Sequence, residues 1–245
     1  MYPLQLEGEK ASQLSRWLWL VKWLMLIPHA ITLVVLWIGV LVSTVITFFA
    51  VLITGRYPRG LFDFNVGVLR WSWRVGFYSY DALATDRYPP FSLKEEPAYP
   101  ARLEVEYPES LSRRLVLVKW LLAIPHYVVV GFFGGLGWVA TNNKDYAGAG
   151  LIGVLVLFAG VALLFTGRYP EKLYDFVMGM NRWVFRVAAY SLLMTDDYPP
   201  FRLDMGGHEP PPSTHPRPPR RPRPRLQRHE ATESEATATA LSAGD

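Results

Sequence analysis

From Lys22 to Arg56 the chain reads KWLMLIPHAITLVVLWIGVLVSTVITFFAVLITGR, with no Asp, Glu, Lys or Arg between the two cations. Two similar charge-free runs follow, one between Lys119 and Lys144 and one between Asp145 and Arg168. About 20 helical residues cross a hydrocarbon core of ~30 Å, so each later run suffices alone. The first is too long for one upright span, since a straight helix of that length reaches about 50 Å. Inside lipid every backbone polar group must find a partner within the segment, which makes helices the expected form. Counted from Trp17 to Ile53, the first stretch has room for two short helices turning near Trp37–Gly39. The opening MYPLQLEGEKASQLSR is polar and mixed in charge, so the first apolar segment reads as an uncleaved anchor and not a signal peptide.

Working outward, the flanks of these runs repeat. Val21-Lys22-Trp23-Leu24-x-x-Ile27-Pro28-His29 returns as Val118-Lys119-Trp120-Leu121-x-x-Ile124-Pro125-His126. Thr54-Gly55-Arg56-Tyr57-Pro58 returns as Thr166-Gly167-Arg168-Tyr169-Pro170. At that same spacing Asp63-Phe64, Gly67, Arg70-Trp71 and Arg74-Val75 have counterparts in Asp175-Phe176, Gly179, Arg182-Trp183 and Arg186-Val187. Thr85-Asp86-x-Tyr88-Pro89-Pro90-Phe91 matches Thr195-Asp196-x-Tyr198-Pro199-Pro200-Phe201, and Tyr2-Pro3 matches Tyr99-Pro100. Such ordered matches are an internal duplication. The second copy carries an insertion in its apolar portion, around the polar break Thr141–Tyr146.

The expected fold is therefore mainly α and polytopic, with a membrane helical hairpin, an interfacial amphipathic helix and short strand-like segments in each copy. Copy one covers 1–97, with its hairpin at about 13–54 (13–37 and 40–54) and its interfacial helix at about 60–82. Copy two covers 98–205, with membrane helices at about 112–140 and 147–166 and an interfacial helix at about 172–194. The rival for copy one is a single tilted helix, with 13–27 in the interface and a bend at Pro28. All Lys and Arg except Lys144 lie outside the hairpin tips, so the positive-inside rule places both termini and both linkers in the cytoplasm. Lys144–Tyr146 would then face outward.

The segment after each Tyr-Pro is basic, Trp-rich and amphipathic, as an interfacial helix requires. Arg56, Asp63, Arg70 and Arg74, with Arg168, Asp175, Arg182 and Arg186, are its candidate headgroup or interface contacts. The alternative is that these arginines only anchor the helix by snorkelling. The stretches 2–7, 88–93, 101–107 and 198–204 look extended, and could pair as four short strands in one cytoplasmic sheet. Residues 206–245 shift to proline and arginine, with eight Pro between Pro210 and Pro224. A disordered tail is expected, whose basic cluster (Arg217, Arg220, Arg221, Arg223, Arg225 and Arg228) attracts anionic lipid in a salt-screened way.

Chemistry is harder to find. The absence of cysteine excludes disulfides, thiolate metal sites and cysteine nucleophiles. No phosphate-binding glycine loop, nucleophile elbow or His-Glu-x-x-His pair occurs. The candidate polar pairs at membrane depth are Lys22 with His29 and Lys119 with His126, each seven residues apart on one helical face. They serve either a relay or structure: the lysines can snorkel, and each histidine can bond a carbonyl freed by the proline before it.

The pattern Thr-Gly-Arg-Tyr-Pro, Asp-Phe, Gly, Arg-Trp, Arg-Val, Thr-Asp and Tyr-Pro-Pro-Phe resembles the bacterial membrane family known as domain of unknown function 4389, over 15–94 and 112–204. That resemblance implies an integral membrane location and no activity, substrate or catalytic residue. The expectation is a multi-pass protein of the cytoplasmic membrane, not an enzyme and without cofactor or metal. It would act as an interaction or scaffold protein that engages anionic headgroups or an unidentified protein partner, not nucleic acid. A small-solute or lipid transporter is the runner-up, and a lipid-acting enzyme ranks third.

Overall fold

The structure, a computed structural model, describes residues 2–134 and 150–209. Its elements are strand β1 (Leu4–Gly8), α1 (Lys22–Thr54), α2 (Arg59–Tyr78), strand β2 (Ala101–Val105), α3 (Arg113–Leu122), α4 (Ile124–Gly134), α5 (Leu151–Thr166) and α6 (Glu171–Ser191). A single 3-10 turn at Leu18–Leu20 leads into α1.

The expected hairpin over 13–54 is corrected: α1 is one continuous helix of 33 residues. Nothing at Trp37–Gly39 competes with helical hydrogen bonding, and Pro28, near the start, leaves the helix unbroken. Gly39 serves packing instead of a turn. A Cβ there would stand 3.1 Å from the ring of Phe64, so its absence lets α2 approach. In the second copy α3 and α4 meet at a 47° bend, and α4 packs on α5. The expected turn around Lys144–Tyr146 and the end of the 112–140 helix lie outside the described residues.

Both apolar stretches stop in the same way. Gly55 (φ 73°) and Gly167 (φ 68°) take the left-handed conformation and donate to Val51 O and Leu163 O, closing the last helical turn. The Tyr-Pro dipeptide then restarts the chain as α2 or α6, with Pro58 and Pro170 in the capping position. α2 returns antiparallel along α1, with Trp71 beside His29 and Asn65 bonded to Ser43.

The expectation of α2 and α6 as helices lying free in the interface is also corrected. The predicted apolar face of α2 is buried in the protein: Phe62, Val66, Leu69 and Trp73 are all under 7% exposed. Its opposite face is covered too, because Gly67 allows Leu93 to lie directly across it.

Of four expected strands, two form. β1 and β2 pair antiparallel with Leu6 opposite Leu103, residues that are themselves counterparts in the duplication. The segments 88–93 and 198–204 join no sheet among the described residues. Their paired prolines offer no N–H to a ladder, and their carbonyls accept from arginines instead: Ser92 O from Arg74 and Asp204 O from Arg182.

The strands rest on α2 and α6, and these rest in turn on α1, α4 and α5. The two copies are interlocked. Arg182 of copy two donates to Leu6 O at 2.8 Å, and Arg70 of copy one donates to Leu103 O at 3.1 Å. Tyr2 donates to Arg186 O and Tyr99 to Arg74 O. Tyr57 reaches Leu192 O, and Tyr169 reaches Ala82 O. Each bond has its mirror in the other copy, so the leading strand of one copy completes the core of the other.

Candidate functional site

The seven-residue spacing of Lys22 and His29 puts both on the inward face of α1, where both are fully buried. Lys22 Nζ donates to Thr85 O at 2.6 Å, pairs with Asp86 Oδ1 at 3.0 Å and lies 4.5 Å from the centre of the Tyr78 ring. The other oxygen of Asp86 accepts from the Ser15 backbone N–H at 2.5 Å, tying the lead-in of α1 to the same carboxylate. Copy two repeats this: Lys119 donates to Thr195 O at 2.7 Å and pairs with Asp196 Oδ1 at 2.7 Å, and Asp196 accepts from Ser112 N–H.

The backbone makes an unusual turn to deliver those groups. Leu83 (φ 52°) and Leu193 (φ 63°) are left-handed leucines, both buried, two residues before Thr85 and Thr195. A left-handed non-glycine residue costs roughly 1–2 kcal/mol, and here packing holds it twice in equivalent places.

Seven residues on, the Nδ1 of His29 accepts from Trp71 Nε1–H at 3.2 Å, while Phe91 stacks on the imidazole with centroids 4.0 Å apart and Tyr88 lies at 4.9 Å. His126 has the same surroundings: Trp183 Nε1–H at 3.0 Å, Phe201 at 4.1 Å and Tyr198 at 4.8 Å. Indole nitrogen can only donate, so each Nδ1 is bare and the neutral ring carries its proton on Nε2. The partner of each histidine is thus a tryptophan of the amphipathic helix of its copy, α2 or α6, and not a carbonyl freed by proline. Each clamp binds three parts of one copy: an apolar helix (α1 or α4), the amphipathic helix (α2 or α6) and the Tyr-Pro-Pro-Phe segment. Sequence reading found the Lys and His but missed Thr85-Asp86, Trp71, Tyr88 and Phe91 as their partners. The signal was present in the duplicated Thr-Asp-x-Tyr-Pro-Pro-Phe, which reads as a strand when its contacts are unknown.

The arginine candidates divide. Arg56 and Arg168 are exposed, just past the ends of α1 and α5. Asp63 is exposed and pairs with Arg59 at 3.3 Å one turn away, while Asp175 is half-buried and its carbonyl accepts from Gly206 N–H. Arg70 is half-buried against β2, and Arg74, Arg182 and Arg186 are buried to within 1%. Arg186 pairs with Asp204 at 2.6 Å and with Glu209, and Arg182 lies 3.3 Å from Glu209. Burial pulls the Arg74 and Arg182 guanidiniums down from their usual range. Arg182 thus ties α6 to β1, and Arg74 and Arg186 tie α2 and α6 to Ser92 and to Asp204 and Glu209 in the segments after Tyr-Pro-Pro-Phe. The tail cluster, Arg217 to Arg228, lies outside the described residues.

Among the described residues, no three His, Asp or Glu side chains stand together as a metal site would need. Two clefts lie elsewhere: one lined by Glu7, Arg87, Tyr99 and Arg102, the other by Lys10, Leu14, Arg168 and Glu171. Neither reaches the lysine–aspartate pairs or the histidine clamps.

No curated protein and no solved structure matches the chain. A family model does, over residues 16–92 and 146–202, two segments consistent with two copies. The first matched segment takes in α1, α2 and the whole first clamp. The second begins inside the expected turn and takes in α5, α6 and the Tyr-Pro-Pro-Phe of copy two, but not Lys119 or His126. With more than half its length matched, the chain belongs to the family described as Domain of unknown function (DUF4389).

Proposed function

We propose that this protein is a membrane-resident, non-enzymatic interaction protein, which buries one helical layer in lipid and offers its polar face to anionic headgroups or a protein partner. One observation carries this reading: its exposed large apolar side chains are segregated. They lie on the lead-in to α1, on α1, α3, α4 and α5, and on the Tyr-Pro-Pro-Phe segments with Met205; none lies on α2, α6 or the strands. α1 is long and apolar enough to cross a membrane, and only 28% of its most apolar window is buried by the protein. So much contiguous exposed apolar surface marks a lipid or protein contact. The exposed cations Arg16, Arg56, Arg113, Arg114 and Arg168 stand at the ends of these helices, where headgroup phosphates would meet them.

The test is co-flotation of the full chain with phosphatidylcholine vesicles, with and without phosphatidylglycerol, after a urea wash. Flotation with both, with a preference for the anionic vesicles that falls when those five arginines become Gln, is expected. A monodisperse chain that stays below the vesicles without detergent would overturn the reading. An alkaline wash is unsuitable, because burial raises the phenols of Tyr2, Tyr99, Tyr169 and Tyr174 above their usual range. The fold favours their neutral form, so this stability is complete below about pH 10, the unfolded value, and is lost as pH rises past it. Thermal melts in detergent should fall steeply above about pH 10.

The second reading is a small-solute or lipid transporter, favoured by the antiparallel course of the two copies: Phe48 stacks on Trp120, and Gly55 O accepts from Leu111 N–H. Solute or lipid flux in proteoliposomes would establish it.

A further inference from the structure

We infer that the helical layer lies in a single leaflet, with α1 along the plane of the bilayer instead of across it; this rests on the membrane reading above. The middle of α1 meets α2 through Gly39 against Phe64 and through Trp37 bonded to Ser72. Between those two α2 residues, Arg70 reaches across to Leu103 O in β2. The neighbours of Leu103 in that strand, Arg102 and Glu104, point away from the core and are exposed. They are therefore level with the middle of α1. An upright α1 would hold both charges at the depth of the hydrocarbon centre, where exposed ionised groups are rare and costly. Lys94 and Glu95, exposed beside the same α2 segment, would suffer alike.

Laid flat, the same molecule has no conflict. Leu4, Leu6, Ala101 and Leu103 face inward from the sheet and the charged residues face outward, so the sheet is a lid over α2 and α6. The apolar helices are the layer beyond these. Helix length agrees: 33 residues rise about 50 Å, against a hydrocarbon core of ~30 Å. In the plane there is no such limit. The lipid-facing stripe also runs the whole helix without a polar end, through Leu24, Ile31, Ile38, Val45 and Ile53, each more than half exposed. Exposed cations flank it on both sides, Arg16 before and Arg56 after.

The absence of cysteine allows a direct test on the full chain. Single cysteines at Leu24, Ile31, Ile38, Val45 and Ile53 are spin-labelled in proteoliposomes, and depth is read from oxygen against water-soluble relaxation agents. One shallow, nearly constant depth at all five positions is expected. A profile deepest at Ile38 and shallow at both ends would mean a spanning helix and overturn the inference, leaving the membrane reading intact. Water exposure at all five would overturn both. Sidedness gives a second readout that needs no change in the apolar layer. Gln13→Cys and Arg56→Cys should react with an impermeant maleimide from the same side of sealed vesicles. Reaction from opposite sides would overturn the flat orientation.

Discussion

Arg74 and Arg186 hold equivalent places in the two copies, and their surroundings differ. Arg186 is met by two carboxylates, Asp204 and Glu209, and Glu209 also neighbours Arg182. Among the described residues Arg74 donates to the carbonyl of Ser92 alone, its Nε and Nη1 are buried without a hydrogen-bond partner, and Glu96 acts on it only through its charge. Lys94 stands where the second copy has Asp204, so the pairing charge is reversed. By contrast, the lysine–aspartate pair and the histidine clamp agree between copies in partner and in geometry. The difference separates what the duplicated fold requires from what each copy has since modified. The lysine and histidine contacts are kept twice, while the buried arginine facing the segment after Tyr-Pro-Pro-Phe has changed its counter-charge.

That division can be broken, and the largest effect should come from the shared pair. Asp86→Ala strands Lys22 as a buried cation, and Asp196→Ala does the same to Lys119; each should cost about 3–5 kcal/mol of stability, the usual result of removing half a buried pair. Urea denaturation in mild detergent should give similar losses for both, and the double variant should not fold. A loss confined to one copy would refute the equivalence.

The arginine struts should then show the asymmetry. Glu209→Ala should cost roughly 3 kcal/mol, because Arg182 and Arg186 lose the acid they share. Arg74→Met should change stability by less than about 1 kcal/mol in either direction, since it removes a buried charge that no carboxylate contacts directly. Equal losses in the same denaturation assay would show that Arg74 is satisfied after all.

Smaller still is the glycine contrast. A Cβ on Gly67 would meet the Leu93 backbone oxygen at 3.0 Å, whereas one on Gly179 would first meet the tip of the Leu203 side chain at 2.7 Å. Backbone cannot step aside and a leucine methyl can. Gly67→Ala should therefore cost about 1–3 kcal/mol by overpacking, and Gly179→Ala less than about 1 kcal/mol. Thermal melts of the two variants measure the gap. Last, Trp71→Phe and Trp183→Phe each delete one indole hydrogen bond, worth about 1 kcal/mol. Equal small shifts in melting are expected, and a clearly unequal pair would show that only one clamp holds its helix.

The same contrast marks how far one-dimensional reading reaches. Local and repeated features were legible in the chain itself: the apolar runs, the Gly-Arg-Tyr-Pro stops, the extents of α2 and α6, and the inward face shared by Lys22 and His29. They depend on periodicity, turn chemistry and charge, which are properties of neighbouring residues. The use of Gly39 for close packing instead of a turn depended on Phe64 lying opposite it, a contact between residues far apart in sequence. The covering of the amphipathic helices on both sides depended on Leu93 and on each copy's leading strand crossing to the other. An amphipathic pattern says that one face will be buried, but not whether lipid or protein buries it. Prolines in Tyr-Pro-Pro-Phe exclude helix, yet only the folded chain decides whether such a segment pairs with a strand or stacks on a histidine. Amino-acid order thus set the elements and their duplication through local sterics and hydropathy. Which surfaces meet was settled by long-range packing, where a missing side chain, a bare carbonyl or an unpaired charge takes its value from whatever the fold brings opposite it.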